Sequence, residues 1–448
     1  MTFMIRYTSV EPAAVFSHFS RVNRIPPDER TIIYHVKLFR VYNERDEVEI
    51  MMDYEKIQSE AAKEMRPSGI RKFFALASEI PDCISLGVGE PDFQTPWTIR
   101  ESAVHALELG HTKYTANAGL KELREKISEW LARRYDLHYT EDQMLVTVGG
   151  SEAIDMAIRA LVEPGDEVII PEPCYVSYEP ITTLTGGVPV HVRTTEENEF
   201  RVKPEQIRQA ITPKTKLLVL SYPNNPTGAV LTHEDLAGIA EVLKGTDIMV
   251  LSDEIYSELV YGNEKYESIA HIEGMKERTI VVNGFSKAFS MTGWRLGYAV
   301  GPKPIIDTMT KIHQSCIMTA PTVSQYAGIT ALSECDEDVE HMREEYDFRR
   351  KYCVRKLNEM GLHTFEPRGA FYVFPNISGL GLSSDDFCMK LLHDQNVAIV
   401  PGTAFGESGE GFARISYAYS LQHLQEAMRR IQAFLKANGY EKGKKNDR

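Results

Sequence analysis

Cysteine is sparse in this chain: six in 448 residues, at Cys83, Cys174, Cys316, Cys335, Cys353 and Cys388, with no C-x-x-C spacing. That scatter argues against a zinc site or a disulfide framework and for reduced thiols in a cytosolic setting. Long apolar runs are missing too. No uninterrupted stretch approaches the ~20 residues that span a bilayer, and the start lacks the basic segment and apolar core of a signal peptide. Surplus positive charge is also lacking: 50 Lys and Arg against 64 Asp and Glu give a net charge of −14. Phosphate backbones and anionic membranes bind local positive charge, so neither nucleic acid nor membrane is expected as a partner. Repeats and low-complexity linkers are absent. The expectation is a soluble, cytoplasmic protein, and at this length two domains rather than one core.

Residues 1–50 differ from the rest. The run TIIYHVKLFRVY at 31–42 has the composition of a strand, and the charged cluster 44–49 then interrupts it. This segment is either a small appendage or a translated upstream stretch before a start at Met51 or Met52, and no role is assigned to it. Residues 53–65 and 120–134 have the spacing of amphipathic helices. From residue 144 onward, short apolar runs alternate with helical patterns. Strands are expected at 144–148, 167–170, 188–192, 216–220, 248–251, 279–282 and 296–300. Six of these are rich in Val, Ile or Leu, as in strands buried on both faces. The alternation predicts an α/β domain built on a mostly parallel seven-stranded sheet. After Pro321 the pattern becomes a smaller α+β one: a charged helix over 334–360, short runs at 370–374 and 397–400, a helix at 385–395, a strand at 412–417 and a final helix at 421–436. The expected division is an extension at 1–50, a small domain from 51–95 and 326–448, and a large domain at 96–325.

Several expected strand ends carry unusual residues. VTVGGSEA (146–153) ends a strand in two glycines and a serine and opens a helix, whose free N–H groups and dipole suit a phosphate; a plain helix cap is the alternative. SYPNNPTG (221–228) is a rigid turn displaying the Asn225 amide. LSDEIY (251–256) places Asp253 at the end of an apolar strand, where a carboxylate needs a cationic partner. VVNGFSKAFSMTGWRLGY (281–298) presents Lys287 just past a strand and then Arg295. Alone, Lys287 reads as a surface lysine. Beyond the carboxyl end of a buried strand it becomes a Schiff-base candidate, because α/β proteins bind ligands there and desolvation lowers an amine's pKa. A ligand with a phosphate, a hydrogen-bonding ring substituent, a protonated ring nitrogen and an aldehyde would engage all of these groups, and pyridoxal 5′-phosphate has all four.

The stretches PSGIRKF, LGVGEPDF, YTANAGLKELR, PNNPTG, LSDEIYSEL, GFSKAFSMTGWRLGY, GAFYVFP and FARIS occur in the order and spacing of the class I (fold type I) pyridoxal-phosphate aminotransferases. The chain resembles that family over roughly residues 68–435, within it most of all the aminotransferase A and N-acetyl-LL-diaminopimelate type. The resemblance implies roles. Lys287 is the Schiff-base lysine and proton carrier. Asp253 pairs with the pyridinium nitrogen, and Asn225 and Tyr256 bond the ring oxygen. Tyr175 stacks on the ring, and Gly150, Ser151, Ser286 and Arg295 hold the phosphate. Tyr114 reaches the cofactor of a neighbouring subunit, so a homodimer with shared sites is implied. Arg414 clamps the substrate α-carboxylate, a task that suits an arginine fork, and Gly89 is a backbone donor to the same group. No metal is implied. Where some relatives have a serine three residues before the lysine, this chain has Gly284, which leaves Ser286 as the hydroxyl donor. Phe371 and Tyr372 are expected in the core rather than in the pocket. Arg71, in PSGIR, is either a surface charge or a partner for a distal carboxylate.

The reaction implied is amino transfer between an L-amino acid and a 2-oxo acid in two half-reactions, with ping-pong kinetics. A C–S lyase on the same fold is the first rival, because fold does not fix function. An aminotransferase-like transcription regulator is a remote second, since residues 1–50 show neither a helix–turn–helix pattern nor a basic cluster.

Overall fold

Seven short runs of the computed structural model pair into one sheet, and each falls where the apolar periodicity predicts a strand. They are β1 (Met144–Thr147), β2 (Glu167–Glu172), β3 (Val188–Arg193), β4 (Thr215–Ser221), β5 (Met249–Asp253), β6 (Thr279–Gly284) and β7 (Gly297–Val300). The structure describes residues 52–65, 77–262 and 265–440. The expected strand at 31–42 and the whole of PSGIRKF, Arg71 included, lie outside them. Sheet order is β1-β7-β6-β5-β4-β2-β3. Every neighbouring pair is parallel except the two made by β7, which runs antiparallel to both β1 and β6.

The sheet is covered on both faces. Along β4, Leu217 and Val219 pack into a cluster with Ile154, Ile158 and Val282. Leu218 and Leu220 point the other way, into a cluster with Ile239, Leu243 and Phe374. Continuous apolar runs follow from that double burial. β3 departs from the expectation: it is one of the two sheet edges, its residues are mostly exposed or half-buried, and Val188 is 46% exposed.

After the sheet, helix Thr322–Glu334 comes first, and Asp336–Glu359 is the charged helix expected over 334–360. Tyr372–Val373, Ala413–Ser416 and Val400–Pro401 make a three-stranded antiparallel sheet. Ile84–Ser85 pairs with Val397–Ala398. The last helix, Leu421–Ala437, buries Leu424, Ala427, Met428, Ile431, Phe434 and Leu435, a 3–4 spacing that lays one face on this core. Ser420 caps it by accepting the His423 N–H. The expected helix over 53–65 is two short pieces, Tyr54–Ile57 and Glu60–Glu64, broken at an extended Gln58; no side chain of the first is buried. Among the described residues, 52–59 belong to one unit and those from 60 on to another. Among the described residues no helix is long and apolar enough to cross a membrane.

Candidate active site

Because β1, β4, β5 and β6 run in the same direction, their carboxyl ends open on one edge of the sheet. Gly150 and Ser151 follow β1, Asn225 follows β4, Asp253 ends β5, and Lys287 lies three residues beyond β6. β7 is antiparallel, so its amino end returns to that edge and brings Arg295 with it. Arg414 comes from Ala413–Ser416 and Gly89 from the loop after Ile84–Ser85. Together they line a cavity of about 430 Å³. Eleven of the twelve residues singled out from sequence are in its wall: Gly89, Gly150, Ser151, Tyr175, Asn225, Asp253, Tyr256, Ser286, Lys287, Arg295 and Arg414. Tyr114 is not; it is 81% exposed.

The floor near β1 is shaped by missing side chains. Gly149 holds φ +78° ahead of helix Gly150–Leu161, and a Cβ on it would come 2.8 Å from Arg295 Nη2. A Cβ at Gly297 would meet the Gly149 carbonyl carbon at 2.6 Å. The backbone therefore closes tightly under a helix amino end and leaves its N–H groups open, as an anion requires. Glu152, in the first turn, accepts the Val148 N–H and is bonded at 2.6 Å to the fully buried His313, which braces the turn. Gly284 also has a reason: a Cβ there would lie 3.0 Å from Gly297 Cα and from the Leu296 carbonyl oxygen. A serine at this position would need that crossing to open.

Lys287 Nζ donates to the Gly89 carbonyl oxygen at 2.6 Å. Burial first, helped by Arg414 and Arg295, brings its pKa down to about 8, against the opposing pull of Glu90 and Asp253. Below that value the amine is charged; above it the amine is a free nucleophile. Condensation of the cofactor-free protein with pyridoxal phosphate, trapped by reduction, is expected to reach half its limiting rate near pH 8. An ordinary lysine is less than about 1% neutral there, so a midpoint near 10 would contradict this environment.

Asp253 Oδ2 accepts from the Tyr178 hydroxyl at 2.6 Å, and Oδ1 accepts from the Ile255 N–H at 3.2 Å. Burial raises the Asp253 carboxyl pKa, while these two donors and Lys287 pull it down. Its carboxylate is thus held towards the cavity and underpaired. Arg414 donates from Nη1 to Asn225 Oδ1 at 2.8 Å and from Nη2 to the Gly87 carbonyl. Its Nε is buried without a partner. Two of the five guanidinium N–H groups fix the fork, and three remain for a ligand. The Asn225 turn is locked by Asn224, whose Oδ1 accepts from the Thr227 hydroxyl at 2.8 Å. Tyr175 sits edge-on to Tyr178, with ring centroids 5.7 Å apart.

Tyr178 carries no sequence signal of its own, and Tyr372 is weighed from sequence for the pocket but placed in the core. Tyr178 is fully buried and reads as core until its hydroxyl is seen on Asp253. Tyr372, expected in the core, lines the cavity, whereas Phe371 does not. With its glycine-floored anion cradle, desolvated amine, buried carboxylate and spare arginine donors, the cavity fits pyridoxal phosphate bearing an amino acid's carboxylate.

Comparison with known proteins agrees. The family described as "Aminotransferase class I and II" matches residues 81–431. An aspartate aminotransferase of Pyrococcus abyssi is 47% identical over 375 residues, 83% of this chain and 96% of that one. Aromatic-amino-acid aminotransferase 2 of Thermococcus litoralis is 45% identical over 381 residues, 84% of this chain and 98% of that one. The crystal structure of an aromatic aminotransferase from Pyrococcus horikoshii superposes with TM-score 0.79 at 45% identity, covering 83% of this chain and all of that one.

Proposed function

Because the chain belongs to the class I and II aminotransferases, which makes it a pyridoxal-phosphate-dependent transaminase of the fold type I architecture, we propose that the cavity at the sheet edge carries its reaction with Lys287 as the catalytic amine. The cofactor, when bound, supplies an aldehyde and an electron-accepting ring. Residues of this chain do the rest. Gly150, Ser151, Ser286 and Arg295 hold the phosphate; Asp253 keeps the ring nitrogen protonated; Asn225 and Tyr256 bond the ring oxygen; Tyr175 stacks on the ring. Arg414 and the Gly89 backbone fix the substrate α-carboxylate, and Lys287 Nζ takes and returns the α-proton. Among the described residues the observation that carries this assignment is the desolvated Lys287 amine, which shares one cavity with the Asp253 carboxylate and the Arg414 fork.

The large cofactor-binding domain is assigned to residues 96–325 and the small one to the flanking segments on either side. A homodimer with shared sites is proposed on Tyr114, whose exposed ring serves a second copy. Thr115, next to it, bonds Thr319 beside the exposed Ile317 and Met318, which a second copy would cover.

The proposed acceptor is 2-oxoglutarate or pyruvate. The donor is sought by titrating the holoenzyme with a panel that includes aspartate and phenylalanine, with and without acceptor. Transfer predicts that product forms in proportion to acceptor consumed; pyruvate and ammonia released with no acceptor present would favour a lyase. Arg414→Lys keeps the charge but loses the fork. It is expected to raise the amino-acid KM and lower kcat/KM by about 10- to 100-fold, the worth of one charge-assisted hydrogen bond. Unchanged kinetics would remove Arg414 from the substrate site.

A further inference from the structure

We propose that Tyr372 is a positioning residue that joins the two halves of the site, its hydroxyl setting Tyr256 and its ring seating the Arg414 guanidinium. The inference rests on the assignment of Tyr256 to the cofactor and Arg414 to the substrate.

Three contacts converge on this one side chain. Its hydroxyl lies 2.7 Å from the Tyr256 hydroxyl. Its ring centroid is 4.5 Å from Arg414 Cζ, within cation–π range. Its hydroxyl also occupies the space a Cβ on Gly89 would need, 2.3 Å away, so it explains why residue 89 is glycine. The Gly89 carbonyl in turn receives Lys287 Nζ. The strand pairing holds the arrangement: Tyr372 is registered with Ser416 and Val373 with Ile415, on the strand that bears Arg414. Tyr372 is 1% exposed, and burial raises its pKa, so it stays a neutral phenol across the working range.

Between two hydroxyls only one proton lies on the shared line. If Tyr256 turns its own proton towards a ring oxygen in the cavity, Tyr372 must be the donor of the pair. Donation into an oxygen polarises that group's O–H and makes it a stronger donor. Tyr372 therefore strengthens the hydrogen bond by which Tyr256 favours an anionic ring oxygen, and a donor to the charged form lowers a pKa. Meanwhile its face holds the guanidinium plane, so the three spare N–H groups of Arg414 keep one orientation.

The two functions separate by substitution. Tyr372→Phe keeps the ring and removes the hydroxyl. The pH midpoint of the bound cofactor's visible absorbance is expected to rise by roughly half a unit. Calorimetric affinity for the non-reacting carboxylate 3-phenylpropionate is expected to stay within about twofold, because the cation–π contact survives. Tyr372→Leu removes both, and that affinity is expected to fall by roughly 3- to 30-fold. In a Tyr256→Phe background the Tyr372→Phe shift should vanish, which a merely structural tyrosine would not produce. An unmoved midpoint in Tyr372→Phe, or the same shift with and without the Tyr256 hydroxyl, overturns the proposal. So does unchanged carboxylate binding in a Tyr372→Leu protein whose melting curve matches wild type. Should Tyr372→Leu fail to fold, the Tyr372→Phe pair decides alone. If Lys287→Ala keeps its turnover the site assignment itself fails; if that variant is dead and the Tyr372 variants move nothing, only this inference fails.

Discussion

Lys287→Ala is expected to lower turnover by at least about 10⁴-fold, the upper range for losing a positioned acid–base group, with the covalent anchor lost as well. The size follows from what else faces the cavity. Among the described residues its other cations are Arg295 and Arg414, and a guanidinium does not give up its proton to serve as a base. Glu90 lines the same wall but its carboxylate is engaged by the Thr292 hydroxyl. No other amine among the described residues of the wall can take the place of Nζ. Lys287→Arg is a useful control, since it restores charge without a base and should be as inactive. Cofactor binding is expected to survive in both variants, because the cradle of Gly150, Ser151, Ser286 and Arg295 does not depend on Nζ. Steady-state turnover and cofactor retention, measured on the same preparation, decide the matter. Turnover within about tenfold of wild type would remove Lys287 from the chemistry.

The parts of this site that sequence could reveal are those whose chemistry clashes with their surroundings. A lysine past an apolar strand, an aspartate at the end of another and paired glycines opening a helix are conspicuous, and Lys287, Asp253 and Gly150 line the cavity. The seven strands were equally legible, because each is a short apolar run bounded by Gly, Pro or a charged residue. What remained hidden depends on pairing across long separations. Nothing local says that β7 inserts antiparallel between β1 and β6, yet that insertion is what carries Arg295 to the right edge. Tyr178 and Tyr372 look like core aromatics from sequence, and they are buried as core residues are. Their function lies in the direction of one hydroxyl, which only the tertiary packing sets. The helix expected at 53–65 forms only as two pieces: the first buries no side chain, and four and five residues are too few to propagate a helix across the break at Gln58.

Asp253→Asn is the second large effect, and its pH dependence makes it diagnostic. The substitution keeps shape and leaves Tyr178 able to bond residue 253. It removes the one carboxylate that, among the described residues, a strand end places in the cavity wall. A cation held against that position would lose its buried partner, at a cost of about 3–5 kcal/mol. That converts to roughly 10²- to 10⁴-fold in kcat/KM. Asp253→Glu, which retains the charge on a longer stem, should recover part of it. Burial raises the Asp253 pKa above the ordinary carboxylate value in the cofactor-free protein. Below that raised pKa the group is neutral and attracts no cation; above it the carboxylate is formed and does. Cofactor affinity of the wild-type protein should therefore weaken as pH falls through that region. In Asp253→Asn the same limb should flatten, because residue 253 no longer titrates. Equilibrium dialysis of pyridoxal phosphate across the acid range, beside kcat/KM for a working amino donor, separates the two consequences. An Asp253→Asn protein with an undiminished rate and the wild-type acid limb would mean that the charge at the end of β5 holds nothing in the cavity.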